Sequence, residues 1–194
     1  TFSIDELIAV VAHCRLSFFA PGTDYHYSNT GYSILAKIIE RVSGLSYSEF
    51  VEEKLLVPNE LFDSSVPYLG TDRALPNPFA SGTVISEGSV FPWTEDNMSE
   101  NVAEGNIIST PADLSHWVRY LISGKAGLSP DTISTMTECI SMTSENTCYG
   151  LGISELLSPV PGYGHSGAHA GYLSLMMHDP QSNVTTVIFA PLLN

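Results

Sequence analysis

The sequence predicts an α+β fold, and three observations carry that prediction. Apolar residues recur at helical spacing through the early part of the chain, and strand-like runs take over near Tyr149. The last two runs, "AGYLSLMMH" and "VTTVIFAPLL", flank the turn sequence "DPQSN" at 179–183, which predicts an antiparallel hairpin. About 1–145 therefore reads as mainly helix and loop, and about 146–194 as antiparallel strands, within one domain.

The elements follow in order. Ser3-Ile4-Asp5-Glu6 is a capping-box pattern that starts a helix running to about His13, with Phe2 placed to staple it. A loop with a Pro-Gly turn, "FFAPGTDYHYSNTG", comes next. Ile34, Leu35, Ile38, Ile39 and Val42 then form a helical stripe, and Gly44 stands where a helix stops. Ser46 to Glu49 repeats the capping box and opens a short helix with Phe50, Val51 and Leu55, ending before Pro58. Residues 58–105 show no sustained period and read as a long loop forming part of a binding wall. Thr110-Pro111-Ala112-Asp113 restarts order, with Thr as N-cap and Pro at the first helical position. Leu114, Trp117, Val118, Leu121 and Ile122 are its expected buried stripe. Ser129-Pro130-Asp131 begins one more short helix, and "YGLGISELL" reads as the first of the strands.

Composition narrows the functions. With 194 residues, 43% of them hydrophobic, the chain can bury a core of its own. Seven Lys plus Arg against 21 Asp plus Glu give a net charge of −14, which repels phosphate backbones and anionic lipid. Neither nucleic acid nor a membrane surface is an expected partner. No apolar run approaches the ~20 residues of a membrane span. Cys14, Cys139 and Cys148 contain no C-x-x-C pair; Cys139 and Cys148 could close a short loop in an oxidising compartment or remain free thiols.

Three stretches are candidates for chemistry, each with a plainer reading beside it. In "YHYSNTGY" (25–32), Asn29 or Thr30 could simply cap the helix at 31–43. Alternatively Tyr27 transfers a proton and Asn29 orients a carbonyl substrate. A phenol with an ordinary pKa near 10 is a poor base at neutral pH, so a catalytic Tyr27 needs a lysine within reach. In "HSGAHAGY" (165–172), His165 and His169 have the i, i+4 spacing of metal ligands, yet there is no H-E-x-x-H. Glycines at 164, 167 and 171 in an edge-like strand suit close approach of a substrate acyl group, whose oxygen would find backbone N–H donors. The plainer reading is a bulged strand with a solvated histidine. The third stretch, "EGNIISTPADLSHW" (104–117), is by itself a well-capped helix start.

Taken together and in this order, "FFAPGTDYHYSNTGYSILAKIIERVSG", "GNIISTPADLSHW" and "GYGHSGAHAGYLSLMMHDP" closely resemble the serine β-lactamase-like superfamily. The branch in question contains class C β-lactamases, penicillin-binding D-Ala-D-Ala carboxypeptidases, D-aminopeptidases and esterases of β-lactamase/transpeptidase-like fold. That family carries a Ser-x-x-Lys, a Tyr-x-Asn and a Lys-Thr-Gly or His-x-Gly. The resemblance implies an acyl-enzyme mechanism in which the serine attacks a carbonyl and water later releases the acyl group. It implies that Tyr27 shuttles the proton, Asn29 holds the substrate amide, and His165 polarises the site or meets a substrate carboxylate. Gly167 would let the strand lie against the acyl group, and the Ala168 N–H would be one oxyanion donor beside that of the nucleophile. Small-molecule or peptide substrates are expected and no cofactor. Periplasmic or secreted placement is favoured over the cytoplasm.

The nucleophile does not appear in the chain. Its three lysines, Lys37, Lys54 and Lys125, are preceded three positions earlier by Ile34, Val51 and Ile122, so no Ser-x-x-Lys exists. The expectation is therefore the C-terminal portion of one β-lactamase-like domain, with Ser-x-x-Lys on a missing segment or a second polypeptide. An open apolar sheet and poor stability of the chain alone follow from that expectation. His165 in place of Lys leans toward peptidase, aminopeptidase or esterase branches over penicillin hydrolysis. "VPNELFDSS" (57–65) departs from the Pro-Leu-Gly-Met-like turn of relatives. The competing expectation is a non-catalytic relic that binds peptide or a partner in the old cleft.

Overall fold

The computed structural model describes residues 1–15, 17–144, 146–158 and 161–193. The chain divides into two compact units. The first comprises Thr1–Val57, Ser64–Phe79 and Glu95–Ile108; the second comprises Pro58–Asp63, Ala80–Thr94 and Ser109–Asn194.

In the first unit, helix α1 spans Ile4–Cys14 and begins with the expected reciprocal box. The Ser3 hydroxyl accepts from the Glu6 N–H, and the Glu6 carboxylate accepts from the Ser3 N–H. Helix α2 spans Asn29–Ser43 and is stopped by Gly44 at φ 75°. The second box, Ser46 with Glu49, opens α3 at Tyr47–Val51. The chain then continues through a π-helical turn, Glu52–Leu56, and a 3-10 turn, Val57–Asn59, that includes Pro58, so the helical run does not end before Pro58 as expected. Ile4, Ala36 and Val102 form one buried core cluster of this unit, with Ile8, Tyr47, Tyr68 and Ala103 packed against them.

The stripe expected on α2 is real but does not point into this core. Ala36 and Ser33 are the buried residues of the helix, whereas Ile34, Leu35, Ile38 and Val42 are exposed by 43%, 54%, 52% and 78%. Periodicity identifies an apolar face; it does not supply what covers it.

The second unit is built on a six-stranded antiparallel sheet in the order β3-β4-β5-β6-β7-β8. The strands are β3 (Ser141–Ser144), β4 (Thr147–Tyr149), β5 (Ser154–Leu156), β6 (Gly162–His169), β7 (Tyr172–Asp179) and β8 (Val184–Ala190). The "DPQSN" turn joins β7 to β8 as expected, its Asp179 carboxylate accepting from the N–H groups of Gln181 and Ser182. Helix α4 (Pro111–Ile122) is capped by the Thr110 hydroxyl, which accepts from the Asp113 N–H. It packs on β7 and β8, and its Val118 is fully buried. Helix α5 (Pro130–Thr137) is capped by Ser129.

Two expectations about elements need correction. "YGLGISELL" is not one strand: Gly152, at φ 75°, turns the chain between β4 and β5. The stretch 58–105 is not all loop, for β1 (Thr83–Ser86) and β2 (Ser89–Pro92) form a hairpin. Its two-residue turn is Glu87-Gly88, both at positive φ, a signal that was legible as X-Gly between β-branched runs. Cys139 and Cys148 are joined in a disulfide with Cα atoms 5.6 Å apart, and Cys14 is free and exposed.

Candidate active site

The expected site residues fall into two groups, one in each unit. Tyr27 and Asn29 lie in the first. Asn29 is the first residue of α2, and the N-cap is Ser28, which makes no side-chain capping bond. The capping explanation for Asn29 or Thr30 is thereby removed. Asn29 is exposed. The Tyr27 side chain, 42% exposed, lies with its ring centroid 5.7 Å from that of Tyr32. Burial raises its phenol above the ordinary value, and Tyr32, Glu104 and Tyr25 push in the same direction. Tyr27 is thus a protonated phenol at neutral pH in the environment that this unit gives it.

The lysines of this unit are engaged by acids. Lys37 Nζ is 2.8 Å from Asp5 Oδ2 and 3.7 Å from Glu40 Oε2, and Lys54 Nζ is 3.5 Å from Glu53 Oε2.

His165, Gly167 and Ala168 share strand β6 in the second unit. The strand is covered unevenly. Along one edge it pairs with β7 from Tyr163 to His169; along the other, β5 pairs only with Gly162, Tyr163 and Gly164. Backbone alternation decides what the remaining edge offers. Ala170-Gly171 is a two-residue turn, so the closing pair His169–Tyr172 is a hydrogen-bonded one. Gly167 and His165 then bond to β7 as well, since antiparallel pairing alternates. Ser166 and Ala168 direct their N–H and C=O groups to the opposite edge. Among the described residues no strand pairs with them there. Gly167 is also held close to β7, since a Cβ added to it would come within 2.5 Å of Ser174 Oγ.

Both ring nitrogens of His165 have protein partners. Nδ1 faces the Ser166 carbonyl, and Nε2 lies 3.1 Å from the Tyr149 hydroxyl. A carbonyl only accepts, so Nδ1 carries the proton and the hydroxyl donates to Nε2 in the neutral ring. An interaction of His165 with a substrate carboxylate would have to displace one of these partners. His169 Nδ1 instead faces the Ala170 carbonyl at 3.4 Å. Among the described residues no group of three or more His, Cys, Asp or Glu side chains is arranged to hold a metal ion.

The sequence profile of the family described as Beta-lactamase matches residues 2–192. The chain belongs to the beta-lactamase family. Among curated relatives of this beta-lactamase family chain, Penicillin-binding protein 4* of Bacillus subtilis is 28% identical over 171 residues, covering 82% of this chain and 38% of that protein. A D-aminopeptidase of Cereibacter sphaeroides is 23% identical over 196 residues, covering 97% and 36%. Among solved structures, a D-stereospecific amidohydrolase from Streptomyces sp. superposes with a TM-score of 0.90 at 27% identity, over 99% of this chain and 57% of that one. The chain therefore spans less than half the length of these two curated relatives. The antiparallel sheet with helices, expected from the sequence, is the β-lactamase/transpeptidase fold.

The residue that the beta-lactamase family motifs did not reveal is Tyr149. It lies in "YGLG", which reads as an ordinary strand end, and only the sheet order brings its hydroxyl to His165, 16 positions later.

Proposed function

We propose that residues 1–194 are the Tyr-x-Asn and His-x-Gly part of an acyl-enzyme serine hydrolase acting on amide or ester bonds. Its nucleophilic Ser-x-x-Lys is supplied from outside this sequence, by a further segment or a partner chain. The observation that carries the reading is the half-covered β6, which presents the Ala168 N–H, beside Gly167 and His165, on an edge that no strand pairs with among the described residues. A carbonyl laid along that edge meets a backbone donor already oriented, which is the requirement of an oxyanion hole.

In this reading the serine oxygen bonds to the substrate carbonyl carbon, and its negative charge collects on the oxygen facing Ala168. The C–N or C–O bond then breaks, and the leaving group takes the proton handled by Tyr27 and the incoming lysine. Water repeats the sequence on the acyl-enzyme and releases the acid. The raised phenol of Tyr27 fits a requirement for that lysine, whose charge is what would bring the phenol into a working range. The names of the relatives, a D-aminopeptidase and a D-stereospecific amidohydrolase, support D-configured amides as the substrate class ahead of β-lactams. The Cys139–Cys148 disulfide supports a periplasmic or secreted setting.

The test is reaction of the native preparation with a fluorescent fluorophosphonate or penicillin, followed by denaturing gel and intact mass. Label on a polypeptide carrying Ser-x-x-Lys, either a longer form of this chain or a partner, is the expected result. A folded, unlabelled 21.0 kDa species would instead establish the non-catalytic binding relic.

A further inference from the structure

We propose that Tyr149 is the positioning residue of His165: its hydroxyl, donated to the bare Nε2 of a ring whose Nδ1–H is given to the Ser166 carbonyl, holds the imidazole over β6. The inference rests on the reading of His165 as part of a hydrolase site, and it adds a residue outside the Tyr-x-Asn and His-x-Gly motifs.

Tyr149 is suited to the task because its backbone is anchored from several sides. The preceding residue, Cys148, is cross-linked to Cys139. The Tyr149 carbonyl accepts from the Ile140 N–H at 2.9 Å, and the following Gly150 donates to the Ile153 carbonyl at 2.8 Å. Leu151 donates to the Met136 carbonyl at the end of α5 at 2.9 Å. Gly150 is needed for this closeness, since a Cβ there would run into the Met136 carbonyl and come within 2.9 Å of that of Glu138. Tyr149 is only 7% exposed, and its ring meets the His165 ring edge-on, 77° between planes, with centroids 5.7 Å apart. A buried phenol on a cross-linked strand loses little freedom in holding a histidine, whereas a surface residue would lose more.

The pairing also works in either charge state of the imidazole. A hydroxyl both donates and accepts, so it donates to the bare Nε2 of the neutral ring and accepts from Nε2–H once the ring is charged. The Nδ1–H to Ser166 carbonyl bond is common to both. The same orientation of His165 therefore suits either charge of the ring.

The test uses the assembled hydrolase with its histidines labelled with 15N, at about pH 9, above the ordinary range of imidazole titration. His165→Gln identifies the His165 signal by its loss. The wild-type ring is expected as the Nδ1–H tautomer with its bare Nε2 signal shifted by a donated hydrogen bond, and Tyr149→Phe is expected to remove that Nε2 shift. The same variant is expected to lower kcat on the order of tenfold with KM changed less than about twofold, the pattern of lost orientation. A wild-type ring in the Nε2–H form overturns the proposal without any variant, as does an Nε2 signal that Tyr149→Phe leaves unchanged. An assembly that shows the expected change at Nε2 yet hydrolyses nothing would leave the positioning intact and sink the hydrolase reading instead.

Discussion

Tyr27 shows how much of a catalytic role one residue can carry by itself. Its phenol is raised by burial and by Tyr32, Glu104 and Tyr25, all within the same unit, and so cannot act as a base at neutral pH without a cation. Tyr27→Phe is expected to lower turnover of the complete hydrolase by about 10²- to 10⁴-fold, the usual worth of general acid–base catalysis. Steady-state kinetics within threefold of wild type would remove Tyr27 from the mechanism. Tyr68 makes a separate case about stability. Burial and then its hydrogen bond to Glu40, 2.7 Å long, push its phenol up to about 12. The folded state therefore holds a proton that the unfolded chain releases near the ordinary tyrosine value of 10.0. Its stabilising contribution is complete below that pH and is lost as pH rises toward about 12. Urea midpoints measured across this window should fall more steeply for wild type than for Tyr68→Phe; parallel curves would contradict the linkage.

At the scale of the element, the strands around β4 depend on a covalent tie as well as on pairing. β3 and β4 are four and three residues long, too short to hold register by hydrogen bonds alone. The Cys139–Cys148 bridge, spanning nine positions, restricts the unfolded chain around them. Chain-entropy arguments put its worth at roughly 2–3 kcal/mol for a loop of this size. The Cys139→Ser, Cys148→Ser double variant should lose about that much stability in denaturant titration. A loss under about 0.5 kcal/mol would mean that the sheet holds this hairpin unaided. Because Tyr149 follows Cys148 directly, activity should fall further in this variant than in wild type destabilised to the same degree elsewhere.

At the scale of the whole molecule, two apolar surfaces lack cover among the described residues. One is the face of α2 with Ile34, Leu35, Ile38 and Val42. The other is β8, an edge strand whose Val184, Ile188 and Phe189 are exposed by 56%, 53% and 39%. A seven-residue edge strand with this content is a template for pairing with other chains. Residues 1–194 expressed alone are expected to aggregate at micromolar concentration and to remain in solution when co-expressed with the Ser-x-x-Lys part. Sedimentation of the isolated chain as a stable monomer would count against the two-part reading.

The sequence by itself determined what local chemistry controls. The two capping boxes, the Thr110 cap, the Gly44 stop and the Asp179 turn were all legible, because each is a bond between residues two to four positions apart. Tyr27, Asn29, His165, Gly167 and Ala168 were legible as candidates only through the order of short motifs around them. Tertiary structure decided the rest. Which face of α2 is buried depends on Val102, far along the chain, and not on the helix's own period. That Ser166 and Ala168 point to an edge with no strand partner among the described residues depends on β5 beginning only at Ser154, opposite Gly164. That Tyr149 reaches His165 depends on the order β4-β5-β6. Periodicity and capping report interactions within a segment; pairing across strands joins segments whose separation leaves no trace in either one.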